Sequence, residues 1–346
     1  MKIEQITIDA ESPPYVIAEM SGNHNGDIER AKRLIAAAKW AGAAAVKLQT
    51  YRADTITIRS ERPEFRISTG LWAGRTLYEL YEEAHTPWEW HAELFAYARQ
   101  LGITIFSSPF DLSAVDFLEQ LGAPAYKIAS AEIVDWGLIE HVAGTGKPVI
   151  LSSGMATDQE LADALNVLRS NGAGECLLLH CISAYPTPIA EAQLSRIPYL
   201  AERFSIPVGL SDHTMGATAA TAAVALGAVA VEKHFTLARA DGGVDSAFSL
   251  EREELKDFCA TLAGVHAAIH GDIHARPASE AETRAFRRSL YFVRPLQSGQ
   301  EIVAADIKSI RPGLGLPPRH LKEIVGKKAL ADIPAGVPVE WSLVSR

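Results

Sequence analysis

The chain has few cysteines and no long hydrophobic run, and both shortages restrict the settings in which it could work. Its three cysteines, Cys176, Cys181 and Cys259, form no CxxC pair and leave one over, which fits a reducing cytoplasm with thiols as packing residues. The N-terminal segment 1–4 lacks the apolar core of a signal peptide. The longest weakly hydrophobic run, 217–231, is mostly alanine and too short to span a bilayer. We therefore expect a cytoplasmic protein with no membrane partner.

The chain also has fewer basic than acidic residues. The chain carries 33 basic against 42 acidic residues, a net charge of −9. This balance argues against nucleic acid or an anionic membrane as the main partner. It leaves room for a small anion, because a few lysines in a cleft can override the global charge. No G-x-G-x-x-G fingerprint opens a first helix, which disfavours an open dinucleotide-binding sheet.

The sequence does contain a regular alternation of apolar strands and helical patterns over residues 1–270. Eight such β-α units match the α/β class and specifically a (β/α)8 TIM barrel, whose parallel strands are buried on both faces. An open doubly wound sheet is the competing fold. The predicted strands are Tyr15–Glu19, Ala44–Gln49, Ile103–Ser107, Ala125–Ala129, Pro148–Ser152, Glu175–Cys181, Pro207–Ser211 and Ala228–His234.

Two stretches depart from this alternation. Thr50–Thr86 is rich in charged and aromatic residues, and an insertion of this length is typically a functional or lid-like loop. Thr86, Pro87 and Glu89 then have the pattern of an N-cap and capping box for the next helix. At the C-terminal end, residues 271–286 are polar and read as a linker, and residues 287–346 as a small β-rich domain.

Two histidines stand at equivalent ends of two neighbouring predicted strands. His213 follows the strand ending at Ser211, and His234 ends the next strand, with one Ala-rich helix between them. Adjacent strands lie about 4.8 Å apart, so both imidazoles could reach one divalent metal. The alternative is that both are capping or core histidines. Glu232, two residues before His234, shares its inward face and could orient a ligand.

Two lysines also lie at strand ends, where buried parallel strands normally carry apolar or small residues. An unpaired ammonium group is costly in a barrel mouth, so Lys47 and Lys127 imply an anion between them. Serine hydroxyls at the neighbouring strand ends would suit a phosphate and a carboxylate. The alternative is that each lysine pairs with a barrel glutamate, Glu19 or Glu132, which are otherwise candidates for acid/base catalysis. The serines are Ser108, Ser130 and Ser211.

Several of these segments resemble the sialic acid synthase family, in order and over essentially the whole chain. The tail from Arg287 is similar to that family's C-terminal antifreeze-like (SAF, β-clip) domain. The segments that carry the resemblance are Ile17–Gly26, Val46–Thr50, Tyr126–Glu132, His180–Pro188, Gly209–Thr214 and Val231–Thr236. The resemblance implies an enzyme that condenses phosphoenolpyruvate with an open-chain N-acetylated amino sugar, giving a nine-carbon 2-keto sugar acid and phosphate.

The resemblance also implies a role for each matching position. His213 and His234 would hold a divalent metal, Mn²⁺ or Mg²⁺, and Glu19 or Glu132 would assist the addition of water. The phosphoenolpyruvate ligands would be Lys47, Lys127, Ser108, Ser130, Ser183 and Ser211, with Ser183 standing where the family usually has asparagine. The sugar would face Glu19, Gln49, Tyr185 and Asp245. Arg311 matches an arginine that the antifreeze-like domain inserts into the partner's barrel, which implies a domain-swapped homodimer.

Within the family, Thr76–Trp90 and Gly243–Glu251 look like the branch that makes pseudaminic acid. The sugar would then be 2,4-diacetamido-2,4,6-trideoxy-L-altrose. Synthases of N-acetylneuraminate or legionaminate are the alternatives inside the family. Outside it, the rivals are a non-catalytic sugar- or ice-binding protein and an aldolase barrel with a Schiff-base lysine.

Overall fold

The apolar runs of the first 270 residues close into an eight-stranded parallel barrel in the computed structural model, which describes residues 1–346. An N-terminal hairpin of β1 (Lys2–Ile3) and β2 (Ile6–Thr7) precedes it. The prediction of a (β/α)8 barrel is confirmed. The barrel strands are β3 (Tyr15–Glu19), β4 (Ala45–Thr50), β5 (Thr104–Pro109), β6 (Tyr126–Ile128), β7 (Val149–Ser152), β8 (Cys176–Cys181), β9 (Val208–Asp212) and β10 (Ala230–His234).

Helices connect successive strands and cover the barrel. β10 pairs with β3, which closes the ring. No helix is long and apolar enough to cross a membrane. The helices are α1 (Ile28–Ala41), α2 (Ala53–Ile56), α3 (Leu77–Ala84), α4 (Trp88–Leu101), α5 (Leu112–Gln120), α6 (Trp136–Ala143), α7 (Asp158–Ser170), α8 (Arg196–Phe204), α9 (Thr218–Ala225) and α10 (Arg252–Ile269).

Apolar side chains fill the N-terminal half of the barrel interior. Tyr15, Ile17, Phe106 and other strand residues pack there against Ile3 from the N-terminal hairpin. A second, larger apolar layer lies between the strands and the helices. The interior is therefore closed at one end, and polar side chains at the C-terminal ends of the strands can only meet at the other end.

The segment between β4 and α4 is more ordered than the sequence predicted. It contains α2 and α3, and α3 begins with a capping box in which Thr76 and Glu79 bond each other's backbone N–H groups. The capping box predicted at Thr86 and Glu89 is wrong, because α4 begins after Pro87 with no side-chain cap. The hydroxyl of Thr86 is buried and has no hydrogen-bond partner.

Residues Gly271–Arg346 form a second compact unit with its own core. The strands β11 (Ser289–Phe292) and β12 (Ile307–Ile310) pair antiparallel, and a short helix α11 (Leu321–Ile324) follows. The rest of this predicted β-rich domain makes only isolated bridges, such as Ala329 with Val344. Leu290, Phe292 and Ile302 lie at the centre of an apolar cluster.

A buried ion pair fixes β9 against β10 on the outer face of the barrel. Lys233 Nζ lies 2.8 Å from Asp212 Oδ2, and both side chains are 1 % exposed. Lys233 also donates to the carbonyl oxygen of Thr214, whose N–H donates to Asp212 Oδ1 at 2.9 Å. Because side chains alternate along a strand, placing Asp212 and Lys233 outside directs Ser211, Glu232 and their alternating neighbours into the barrel mouth.

Removing one member of this pair should destabilise the barrel strongly. Asp212→Ala leaves the Lys233 ammonium buried without a counter-charge, so we expect a loss of about 3–5 kcal/mol in the free energy of unfolding. Urea titration followed by circular dichroism measures it. Glu82→Ala is the matched control, because the Glu82–Arg59 pair is mostly exposed and should contribute less than about 1 kcal/mol. Equal effects of the two changes would contradict the structural role of the buried pair.

Candidate active site

The strand register brings together side chains that are far apart in the sequence. His234 of β10 lies opposite Glu19 of β3, and Glu19 lies opposite Lys47 of β4. Gln49 of β4 lies opposite Ser108 of β5. The C-terminal ends of the strands therefore form one continuous polar ring, which is where TIM-barrel enzymes carry their chemistry.

Glu232 is the anion that lies between the two lysines. Lys127 Nζ is 3.0 and 3.2 Å from its two carboxylate oxygens, and Lys47 Nζ is 3.5 Å from Oε1. Lys47 also forms an ion pair of 2.9 Å with Glu19. The structure thus brings Lys47 and Glu19 together, as the alternative interpretation of the lysines expected. Lys127 pairs with Glu232, a partner that the alternative interpretation did not include, because it named only Glu19 and Glu132 as partners of the lysines.

Burial and charge act in opposite directions within this cluster. Burial favours the neutral form of Glu232, but the two ammonium groups outweigh it and lower the pKa of that carboxyl. Burial raises the pKa of Glu19 and lowers the pKa of Lys127, which shares its carboxylate with Lys47. Glu232 is firmly ionised, whereas the raised pKa of Glu19 limits the negative charge that this second carboxyl contributes, so the two lysines can accept a further anion.

Serine hydroxyls surround the lysine cluster. Lys47 Nζ donates to Ser108 Oγ at 3.3 Å, and Ser211 Oγ lies 3.4 Å from Glu232. Ser130 and Ser183 converge on Gly154, where a Cβ would lie 2.5 and 2.3 Å from their hydroxyl oxygens. The two hydroxyls therefore pack directly against Gly154, where any side chain would clash with them.

The two histidines predicted as metal ligands are neighbours, with ring centroids 5.5 Å apart. His213 Nδ1 lies 3.0 Å from the carbonyl oxygen of Ile182 and donates to it, so Nε2 is the ring nitrogen left for a metal. His234 Nδ1 is buried and has no hydrogen-bond partner. Burial also lowers the pKa of His234 well below its usual value, which keeps it in the neutral form that binds metals.

The donor set fits a divalent metal that is only partly coordinated by the protein. His213 and His234 are two imidazoles with nitrogen lone pairs, and no group of three or more His, Cys, Asp or Glu side chains is placed to hold an ion. Asp245 Oδ2 lies 3.9 Å from His234 Nδ1 and accepts a 2.5 Å hydrogen bond from Ser21. A metal held here would keep positions for ligands from the substrate or water.

The remaining predicted residues of the barrel lie around these two clusters. Gln49 Nε2 donates to Glu19 at 2.8 Å, and the Tyr185 ring lies 4.4 Å from the ring of His213. Glu132 Oε2 is buried without a partner, and burial raises the pKa of its carboxyl to about 7. Arg311 belongs to the separate C-terminal unit, where its side chain is exposed.

Sequence reasoning missed or undervalued two residues of this site. It gave Glu232 only an orienting role, although the alternation Glu232–His234 already placed the carboxylate inside the mouth. It counted Ser152 among the strand ends but gave it no role, and its hydroxyl is buried without a partner. Only the closed barrel shows that the Ser152 hydroxyl has no hydrogen-bond partner.

Comparison with known proteins identifies relatives over nearly the whole chain. A family model described as "NeuB family" matches residues 34–274, and one described as "SAF domain" matches residues 287–345. The pseudaminic acid synthase of Helicobacter pylori is 44% identical over 96% of this chain and 98% of its own length. The N,N'-diacetyllegionaminic acid synthase of Legionella pneumophila is 36% identical, over 94% of this chain and 93% of its own.

A solved structure gives the same result for the fold. The N-acetylneuraminic acid (sialic acid) synthetase of Leptospira borgpetersenii, in complex with citrate, matches with a TM-score of 0.73 and 31% identity. The match covers 82% of this chain and 94% of that one. Both the barrel and the SAF domain predicted from the sequence are confirmed, and the chain belongs to the NeuB family.

Proposed function

We propose that this chain is a pseudaminic acid synthase. It condenses phosphoenolpyruvate with 2,4-diacetamido-2,4,6-trideoxy-L-altrose to give a nine-carbon 2-keto sugar acid and phosphate. Among its relatives, identity to the pseudaminic acid synthase exceeds identity to the legionaminic acid synthase, 44% against 36%. The observation that carries the proposal is the lysine cluster on Glu232, placed beside two imidazoles at one barrel mouth. Such a site can hold an anionic nucleophile next to a carbonyl group.

Phosphoenolpyruvate binds at the lysine end of the site. Lys47 and Lys127 offset its negative charge, and the hydroxyls of Ser108 and Ser211 lie next to that cluster. Ser130 and Ser183, whose hydroxyls lie together against Gly154, would donate to phosphate oxygens. Serine at 183 is shorter than the asparagine usual in the family, so it need not repeat the contact that this asparagine makes.

The sugar binds at the histidine end. His213 and His234 would hold Mn²⁺ or Mg²⁺, which acts as a Lewis acid on the aldehyde oxygen. Glu19 and Gln49, already hydrogen-bonded to each other, face the open chain from one side. Tyr185 and Asp245 face it from the other.

The chemistry then proceeds between the two ends. The C2–C3 π electrons of phosphoenolpyruvate form the bond from C3 to the aldehyde carbon, the aldehyde oxygen takes the carbonyl π electrons, and positive charge develops at C2. Water adds at C2; one of its protons passes by way of a carboxylate to the former aldehyde oxygen, which becomes a hydroxyl, and the other leaves with phosphate. The C2–O bond to phosphate then breaks, phosphate leaves with the electron pair, and C2 becomes the keto carbon. Glu132 is the better proton acceptor of the two candidate carboxylates, because Glu19 is held by Lys47 and Gln49.

We also infer that the active unit is a cytoplasmic, domain-swapped homodimer. Arg311 is exposed on the SAF domain and matches the arginine that the family directs into the partner's barrel. The three cysteines are all free thiols, which fits a reducing compartment. Sedimentation equilibrium of the full chain tests the dimer, and a monomer that retains full activity would contradict it.

Phosphate release tests the proposed function directly. The full chain with phosphoenolpyruvate and Mn²⁺ should release phosphate with 2,4-diacetamido-2,4,6-trideoxy-L-altrose at a kcat/KM at least tenfold above that with N-acetylmannosamine or the legionaminate precursor. EDTA should abolish release and added Mn²⁺ should restore it. Preference for another sugar would identify the chain as the synthase that uses that sugar. A covalent adduct trapped by borohydride, or full activity in EDTA, would instead indicate a Schiff-base aldolase.

The raised pKa of Glu132 predicts a pH dependence. A carboxyl with a pKa of about 7 is protonated below pH 7 and cannot then accept a proton, so kcat should fall about tenfold per pH unit on the acid side and level off above it. Glu132→Gln should lower kcat by about 10²–10⁴-fold and remove this limb. Glu140→Gln, on the exposed side of α6, is the control. An unchanged acid limb in Glu132→Gln would assign it to another group.

A further inference from the structure

An aromatic wall stands over the two histidines. The Tyr185 ring lies 4.4 Å from that of His213 and 5.4 Å from that of Phe248, and Phe248 lies 5.0 Å from His234. Trp72 extends this wall outward, with its ring centroid 5.7 Å from that of Tyr185. Trp72 comes from the segment between β4 and α4, to which neither the lysine cluster nor the imidazole pair belongs.

Trp72 is presented by a hairpin-like loop. Ile67 and Arg75 are joined by a backbone hydrogen bond of 2.9 Å, and Arg66 forms an antiparallel bridge with Thr76. At the tip, Leu71 is 49% exposed, whereas Trp72 is half-buried. The loop therefore directs one large aromatic residue toward the mouth while its neighbour points to solvent.

The indole is anchored to the loop that carries Asp245. Trp72 Nε1–H donates to the carbonyl oxygen of Val244 at 2.8 Å. Val244 in turn packs so closely on Gly22 that a Cβ there would lie 2.5 Å from its side chain and 3.2 Å from Ala84. The segments that carry Gly22, Ala84 and Val244 are thus closely packed against one another. Because Trp72 is bonded to Val244, its position is fixed relative to the neighbouring Asp245.

We infer that Trp72 determines sugar specificity by packing against an apolar substituent of the sugar at the outer end of the site. This inference rests on the proposed function. The reacting aldehyde must lie beside His213 and His234, so the rest of the open chain extends outward along Tyr185 toward Trp72. The only polar atom of the indole is already bonded to Val244, so the ring offers the substrate a purely apolar face.

Such a face discriminates between a methyl group and a hydroxymethyl group. A 6-deoxy sugar places its C6 methyl against the indole, which excludes water without breaking a hydrogen bond. A sugar with a 6-hydroxyl group would bury that hydroxyl against a surface with no acceptor or free donor. The proposed substrate class is therefore open-chain diacetamido sugars that lack the 6-hydroxyl group.

The test compares two sugars that differ only at C6: 2,4-diacetamido-2,4,6-trideoxy-L-altrose and its 6-hydroxy counterpart. Trp72→Ala should lower kcat/KM for the 6-deoxy sugar by about 10–100-fold, mainly through KM. Its effect on the 6-hydroxy sugar should be at least tenfold smaller, and the KM for phosphoenolpyruvate should stay within twofold. Trp72→Phe should retain most of the preference. Trp40→Phe, a change at an exposed tryptophan on α1, should leave both sugars unaffected.

A fluorescence titration gives a readout that does not depend on turnover. Adding the 6-deoxy sugar to the full chain should change tryptophan emission, and this change should be lost in Trp72→Phe and kept in Trp40→Phe. Equal loss of activity with both sugars, or an emission change that survives in Trp72→Phe, would overturn the role of Trp72. Phosphate release by the unaltered chain tests the proposed function separately, and absence of release with either sugar would overturn both.

Discussion

Two ammonium groups share one carboxylate inside the barrel mouth, and most of the site's properties depend on this arrangement. Lys47, Lys127 and Glu232 have side chains no more than 5% exposed, a placement that is strongly unfavourable for isolated charges. The cluster is tolerable because Glu232 contacts both lysines and Glu19 contacts one of them. The protein's own carboxylates therefore hold the cluster together before an anionic substrate binds to it.

The barrel supplies the geometry for this cluster from the outside. The Asp212–Lys233 pair fixes the register of β9 on β10, so alternate residues enter the mouth. Glu232 and His234 then point inward together, which places the imidazole pair next to the lysine cluster. The inner ring carries charge for the reaction, while the aromatic wall of Tyr185, Phe248 and Trp72 stands farther out. On the proposed function, the inner ring would serve the reaction and the aromatic wall the choice of sugar.

Local sequence patterns were enough to predict the barrel and the membership of its polar ring. Continuous apolar runs located every barrel strand to within about two residues, and Tyr15–Glu19 matches its strand at both ends. The adjacency of His213 and His234 followed from two matched strand ends. These features depend on neighbouring residues or neighbouring strands, and so they can be read along the chain. The confirmed family resemblance rests on the same segments.

Contacts across the barrel could not be predicted in this way. Lys127 on β6 meets Glu232 on β10 only because the ring closes, and the sequence offered Glu19 and Glu132 as equally reasonable partners. The position of Trp72 likewise depends on the tertiary contact with Val244. The misplaced cap at Thr86 had another cause: Thr76 and Glu79 carry the same pattern ten residues earlier, and there the chain uses it.

Binding of phosphoenolpyruvate to the lysine cluster is the central claim, and isothermal titration calorimetry measures it without turnover. The full chain with Mn²⁺ but no sugar should bind phosphoenolpyruvate, and Lys127→Met should weaken that binding at least tenfold, about 1.4 kcal/mol. Lys147→Met, which removes a more exposed lysine paired with Glu119, should leave the affinity unchanged. Equal affinity in the unaltered chain and in folded Lys127→Met would contradict the account.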